Sequence, residues 1–318
     1  MTKIENSFIG FIIGDALGVP LEFEPRENLI KNPVLDMLSY GRHNVKGGTW
    51  SANTSLTLAT MDSIINKREL NYANMMKNYI SYFKSHKYLA CERPFGLNSN
   101  VKKVFREYQK LKKSNDVDKN STENSSLKRI LPIAFYVYYN HYTDEQIYSC
   151  VKEFSSLTNN NEIVILGCYL YVRYLIFLLQ GQNKDEAYHT LQKLDLTFFT
   201  EEAISFYERI LTMDVAKLSL KEISTSDYIV DTLESSLWLI LNTDSFSEAL
   251  VGAINLGGDT ASIGAITGSI AGYIYEADEV PARWLDKLKL FNYLEQIIEE
   301  YEKILRSYYK DIYKLRKA

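Results

Sequence analysis

Residues 255–272 read NLGGDTASIGAITGSIAG, and how that run is parsed decides the fold. Two glycines lead into Asp259-Thr260, residue types that close a turn and cap a helix N-terminus. An apolar stretch follows with glycine at 264, 268 and 272, a spacing of four that stacks the glycines along one helical face. Period-two alternation, the mark of a half-buried strand, is missing. Small residues in a row let another backbone come close, so the run predicts a buried helix packed tightly on a second one.

The same periodicity extends outward. From Leu294 the apolar positions are Ile297, Ile298, Tyr301, Ile304, Leu305, Tyr308 and Ile312, with charges between them and a basic end at Lys314, Arg316 and Lys317. Ile229, Leu233, Leu237 and Leu241 repeat the pattern, as does Leu56 to Ile65. The reading is an all-α protein. Ile163 to Gln180 is apolar enough to need a membrane check, but Arg173 near its middle and its many tyrosines favour a core helix. Lys112 to Ser126, with a single apolar residue, reads as a solvent-exposed polar loop within one domain spanning 1–318.

Composition narrows the function. The 318 residues carry 36 basic and 40 acidic side chains, a net charge of −4 that draws in no phosphate backbone, so no nucleic-acid partner is expected. A hydrophobic share of 46% excludes a disordered chain, and only 15 glycines and 6 prolines argue against a turn-rich β protein. Cys91, Cys150 and Cys168 are odd in number and lack metal-ligand spacing, which suits a reduced interior. With Glu5 and Asp15 among the first twenty residues and no basic leader, a cytoplasmic protein without a membrane partner is expected.

Three clusters carry the chemistry: GFIIGDALGVPLEF (10–23), GGTWSANTSLTLA (47–59) and the 255–272 run. Singly, each has a plain structural reading. Gly14-Asp15 before an apolar run is a helix cap, Ser51 or Asn53 caps a helix starting near Thr54, and Asp259 caps the glycine-studded helix. Together with SSLKRILPIAFY (125–136), SSLT (155–158), YIVDTLESSLW (228–238) and VPARWLDKL (280–288), they make the chain resemble the ADP-ribosylglycohydrolase family of the dinitrogenase-reductase-activating type. The resemblance implies a compact, orthogonal multi-helix all-α domain. It also implies a cleft holding two Mg²⁺ or Mn²⁺ ions that cleaves the glycosidic bond between ADP-ribose and a modified side chain.

The resemblance is broken where the metals would sit. The family's Ser/Thr-Asp-Asp-Thr reads Ser51-Ala52-Asn53-Thr54 here, and its Asp-x-Asp-Thr/Ser reads Asp259-Thr260-Ala261-Ser262. Ser51, Asn53, Asp259 and Ser262 keep oxygen donors but one carboxylate among them, too little charge for two hard cations. No metal cofactor is expected, Mg²⁺ or Mn²⁺ entering only if that remnant shell still binds, and no catalytic residue is assigned. The phosphate-cradling Gly-Asn-Gly-Ser-x-Met-Arg element reads Glu123 to Arg129, with Lys128 at the methionine position. Leu-Thr-His reads Leu157-Thr158-Asn159, Ser-Gly-Tyr reads Ser226-Asp227-Tyr228, and Glu22 matches the family's gate glutamate.

What the resemblance leaves is a nucleotide cleft whose candidate contacts are Glu22, Asn53, Asn124, Ser125, Ser126, Arg129, Asn159, Asp227, Tyr228 and Asp259. Tyr228 is placed to stack on adenine, worth about 1–3 kcal/mol, or else is core. Ser125 and Ser126, with the charge of Lys128 or Arg129, suit a diphosphate; the arginine's other reading is pairing with a carboxylate. The expected function is a binding protein that sequesters an ADP-ribose-derived small molecule, such as a cyclic or conjugated ADP-ribose immune signal. The alternatives are a metal-dependent ADP-ribosyl hydrolase, seen as an inactivated variant, and a protein–protein module that blocks an ADP-ribosyltransferase.

Overall fold

The glycine run is the helix Thr260–Ile274, and its close partner is the opening helix Lys3–Gly18. The two run antiparallel with a four-residue step: Asn6 faces Gly272, Gly10 faces Gly268, Gly14 faces Gly264 and Gly18 faces Thr260. The backbones touch. A Cβ on Gly14 would lie 1.9 Å from the Gly264 carbonyl oxygen, and one on Gly10 2.1 Å from that of Gly268. Ser7 Oγ donates to the Ser269 carbonyl at 2.7 Å and Thr260 Oγ1 to the Gly18 carbonyl at 2.8 Å, fixing the register at both ends. This pair sets the C-terminal end of the first helix, with Asp15, beside the N-terminal end of the other, with Asp259.

The computed structural model describes residues 1–111, 119–275 and 280–315, and it is all-α: the described residues form sixteen α-helices with short 3₁₀ turns and two isolated β-bridges. Helix starts follow local chemistry. Thr2 with Glu5, Thr143 with Gln146 and Asn183 with Glu186 each build a reciprocal capping box. The predicted helices at 56–65, 229–241 and from 294 are Ala52–Lys67, Ile229–Asn242 and Phe291–Leu315. Arg316 and Lys317 lie outside the described residues.

Glu162–Leu179 is a core helix, and one apolar cluster runs continuously past it from Ile4 to Leu305. Like the opening helix it is long and apolar enough to cross a membrane, but the two windows are 83% and 94% buried inside the protein. Arg173 is accommodated because its guanidinium lies against Tyr169 and Phe177 and reaches Asp144 at the surface. All three cysteines are free thiols, and burial pushes those of Cys150 and Cys168 up to about 12.

The polar stretch at 112–126 departs from its expected exposure at 121–126, while Lys119 and Asn120 are exposed as expected. Residues 112–118 lie outside the described residues, while Ser121, Asn124, Ser125 and Ser126 are buried. The reason is a short strand-like pairing: Asn124 N donates to the Asp227 carbonyl at 2.9 Å and Ile229 N to that of Thr122 at 3.0 Å. Polar side chains survive inside the protein when they find partners there.

Candidate functional site

The N-terminus of the Ala52–Lys67 helix forms one wall. Ser51 caps it, its Oγ accepting from Asn53 N at 3.1 Å. Asp15 reaches across and takes most of what remains. Its two oxygens accept from Ser51 N (3.0 Å), Ser51 Oγ (2.7 Å), Thr54 N (3.1 Å), Thr54 Oγ1 (2.7 Å) and Asn53 Nδ2 (3.3 Å). The local reading of Gly14-Asp15 as a cap before its own run is thereby corrected. Asp15 lies inside the opening helix and caps a different one, because unpaired N–H groups and the helix dipole attract a carboxylate. Burial dominates those bonds and raises its pKa from the usual 3.8 to about 6.

The 121–129 segment forms the second wall. Asn124 is buried and donates its Nδ2 to Asp259 Oδ2 at 2.8 Å and to Thr232 Oγ1 at 2.7 Å, leaving its own Oδ1 without a partner. Asp259 caps the Thr260–Ile274 helix as predicted, its Oδ1 accepting from Ser262 Oγ at 2.7 Å and Ser262 N at 3.3 Å. Tyr228 is half-buried, packs partly on the main core and joins this wall through the Glu123–Tyr228 bridge. Asp227 is exposed and contributes its carbonyl to Asn124.

Glu22 sits on a turn pinned to the Gly257-Gly258 loop. Phe23 N donates to the Gly258 carbonyl at 2.7 Å and Gly258 N returns to that of Glu24 at 3.1 Å. Gly258 needs to be glycine, with φ +70° and a would-be Cβ 2.1 Å from the Thr225 carbonyl oxygen. Arg26 clamps this region from below, donating at 2.7 Å to each of the Leu256, Leu220 and Ile223 carbonyls. The Glu22 carboxylate accepts a hydrogen bond from His43 Nε2, and the imidazole packs on Phe95 at 4.8 Å. Phe23, Tyr40 and Asn44 bracket this pair with positive φ of 65°, 74° and 52°, a local concentration of backbone strain.

Between the walls is a narrow cavity lined by Ala52, Asn53, Leu56, Gly96, Leu97, Asn98, Val101, Ser125, Lys128 and Arg129. It leaves about 10 Å³ of free room, that of one water molecule. Thus Asn53, Ser125 and Arg129 meet at the cavity, and Asn124 and Asp259 meet each other. Ser126 and Asn159 do neither. They are buried in a network with Ser155, Thr158 and Arg129: Ser126 Oγ and Thr158 Oγ1 both donate to Asn159 Oδ1, at 3.2 and 2.7 Å, and Arg129 Nη2 donates to Thr158 Oγ1 at 2.8 Å. Arg129 is held by carbonyl, hydroxyl and ring faces, and among the described residues it has no carboxylate partner.

The divalent pair implied by the resemblance does not fit the residues present. Ala52 and Ala261 have no side-chain donor atom, Asn53 turns its Nδ2 to Asp15, and both Asp259 oxygens already accept hydrogen bonds. Among the described residues no three His, Cys, Asp or Glu side chains converge as a metal site. Ala261 packs in a small apolar cluster with Val19, Val45 and Phe95. Sequence reasoning missed His43, Arg26, Thr232 and the 96–98 wall, all joined to the site by long-range folding; only the glycines at 10, 14 and 18, spaced like those at 264–272, were there to be read.

The fold is thus an all-α one built on a tightly paired helix couple, with two helix-capping aspartates, Asp15 and Asp259, at one end. The sequence model of the ADP-ribosylglycohydrolase family matches residues 1–312, and the chain belongs to it. ADP-ribosylarginine hydrolase Tri1 of Serratia proteamaculans is 26% identical over 306 residues, covering 93% of this chain and 79% of that protein. The ADP-ribosyl-[dinitrogen reductase] glycohydrolase of Rhodospirillum rubrum is 25% identical over 300 residues, covering 90% of each chain. A solved structure titled ADP-ribosylglycohydrolase-related protein complex shares the fold with a TM-score of 0.80 at 21% identity, over 95% of this chain and 98% of that one.

Proposed function

We propose that this protein binds an ADP-ribose-derived nucleotide and holds it intact. Family membership supports the ligand class, since the relatives are named for ADP-ribosyl substrates. The observation that carries retention over cleavage is the packing of Ala261. A methyl group at 261 offers no oxygen to a cation, and this one is fully buried and packs with Val19, Val45 and Phe95. Hydrolysis requires interactions that strengthen in the transition state, and the one carboxylate left at the metal positions, Asp259, whose oxygens already accept from Ser262 and Asn124, supplies little of that. Stacking and hydrogen bonding to the ground state need no such change. Cyclic and amino-acid-conjugated ADP-ribose signals are the guests that fit a cytoplasmic sequestering role.

Calorimetric titration with ADP-ribose, cyclic ADP-ribose isomers and amino-acid-conjugated ADP-ribose tests this, with chromatography of the mixtures after incubation in Mg²⁺ or Mn²⁺. Binding of at least one ligand, recovered unchanged, is the expected result. Turnover, or failure of every ligand to bind, overturns the proposal. The second reading, a metal-dependent hydrolase seen as an inactivated variant, rests on the hydrolase names of the relatives. It requires that Ala52→Asp, Asn53→Asp and Ala261→Asp together produce Mg²⁺-dependent ADP-ribose release. We expect instead an unstable protein, because an aspartate at 261 is a charge buried among apolar side chains.

A further inference from the structure

The core helix Glu162–Leu179 buries an arginine that the nucleotide site does not use. Arg173 is 8% exposed, and its guanidinium lies against the rings of Tyr169 and Phe177, 5.7 and 5.2 Å from their centres. Nη1 donates to Asp144 Oδ1 and, at 3.3 Å, to the Tyr169 hydroxyl, while Nε is buried without a partner. Nη2 makes no hydrogen bond among the described residues and is not sealed in. A guanidinium has five N–H donors, so one that spends only some of them while shielded from water still calls for an acceptor.

There is room for that acceptor. Arg173 lines a cavity of about 260 Å³ that shares no residue with the one at Asn53 and Arg129. Small-molecule sites commonly measure about 300–1,000 Å³, so this one suits a guest of amino-acid size rather than a nucleotide. Asp144, the other half of the ion pair, lines it too and is 56% exposed, with only Oδ1 engaged among the described residues. Of the remaining wall, Val137, Ile147 and Ile176 are apolar and Tyr138 and Tyr142 aromatic. Both charges are held in place. Ring faces orient the guanidinium, and Asp144 opens the helix Asp144–Ser155, whose start is fixed by the Thr143–Gln146 capping box.

We infer that this cavity is a second binding site, separate from the nucleotide cleft, for a free α-amino acid with an apolar or aromatic side chain. A cation and an anion stand side by side on its wall, and a zwitterion answers both. The guest's carboxylate accepts from Nη2 of Arg173, its ammonium donates to the open oxygen of Asp144, and its side chain covers the apolar wall. A guest that is only an anion is repelled by Asp144, and one that is only a cation by Arg173, so the pair selects against both. None of this rests on the nucleotide reading, because every residue involved belongs to the 137–147 segment or the core helix.

The test is calorimetry and thermal melting of the wild type with L-phenylalanine and L-leucine, set against 3-phenylpropionate, which lacks the ammonium, and phenethylamine, which lacks the carboxylate. At least one of the amino acids should bind and raise the melting temperature. Each analogue should bind L-phenylalanine's site about tenfold more weakly or worse, the loss of one charged hydrogen bond. Asp144→Asn, a change at an exposed position, should weaken the amino acid by a similar factor, and Arg173→Met should abolish binding while the melt stays cooperative. If Arg173→Met does not fold, the two analogues and Asp144→Asn decide the matter. Failure of both amino acids to bind, an equal affinity for 3-phenylpropionate or phenethylamine, or unchanged affinity in Asp144→Asn or in folded Arg173→Met each overturns the inference.

Discussion

Asp15 shows how a single side chain ties the site together. Five hydrogen-bond donors converge on its carboxylate, and yet burial still lifts its pKa to about 6. The folded protein therefore holds a proton there up to about pH 6, while the unfolded chain releases it near the usual 3.8. Between those values the folded state binds more protons, so stability falls as pH rises, by about 3 kcal/mol in all from this group, and is flat outside the window. Urea midpoints for the wild type and Asp15→Asn measured from pH 3.5 to 7 should diverge over that interval, the variant lacking this slope. Arg26 predicts a different signature. Arg26→Ala strands three carbonyls that its guanidinium now satisfies, and a loss of about 2–3 kcal/mol in urea unfolding is expected.

At the level of elements, the decisive object is the helix couple Lys3–Gly18 and Thr260–Ile274. Its glycines are there for approach: Gly14 and Gly264 each present backbone to backbone with no room for a methyl group. Gly14→Ala or Gly264→Ala should lower stability by about 3 kcal/mol or more, since the clash is with main chain that cannot rotate away. Gly181→Ala is the control. Gly181 has φ +95° with nothing among the described residues within 4 Å of a would-be Cβ, so its cost is backbone strain of about 1–2 kcal/mol. The helix couple is also what brings the Asp15 and Asp259 ends together. A Gly264→Ala variant that still folds should therefore lose ligand affinity as well as stability, read by titrating the same nucleotides.

For the molecule as a whole, the site is a meeting of segments distant in sequence: the 51–54 cap, the 96–98 wall, the 124–129 turn and the 257–262 loop. Anything that binds this folded arrangement stabilises it by mass action, about 2.7 kcal/mol at a ligand concentration a hundred times Kd. A thermal melt with saturating ADP-ribose should shift upward by several degrees, and the same melt with millimolar Mg²⁺ or Mn²⁺ alone should not move. A metal-induced shift abolished by Asp259→Asn would show that the remnant oxygen donors hold a cation after all.

Much of this was legible in residue order. Helical period, the glycine spacing at 264–272 and the capping residues Ser51 and Asp259 announce themselves locally, because a helix is built from neighbours three and four apart. The family, too, is written in motifs that keep their order along the chain. What the chain order concealed was which polar residues face outward. Ser126 and Asn159 carry the same local signal as Ser125, yet they are internal supports of Arg129, and Ser121 and Asn124 beside them are buried too. His43 reaches Glu22 from twenty-one residues away, and Arg26 binds a loop two hundred residues downstream; neither leaves a periodic trace.

Sequence alone thus determined the all-α class, the apolar stretches at the heart of several helices and the shortage of carboxylates at the metal positions, since each depends on side-chain identity or short-range spacing. Tertiary structure alone decided that Asp15 caps a foreign helix, that Ala261 is buried against Val19, Val45 and Phe95, and that Lys128 and Arg129 are buried with no ion-pair partner among the described residues. Burial and the choice of hydrogen-bond partner are properties of packed surfaces, and those exist only once distant helices have met.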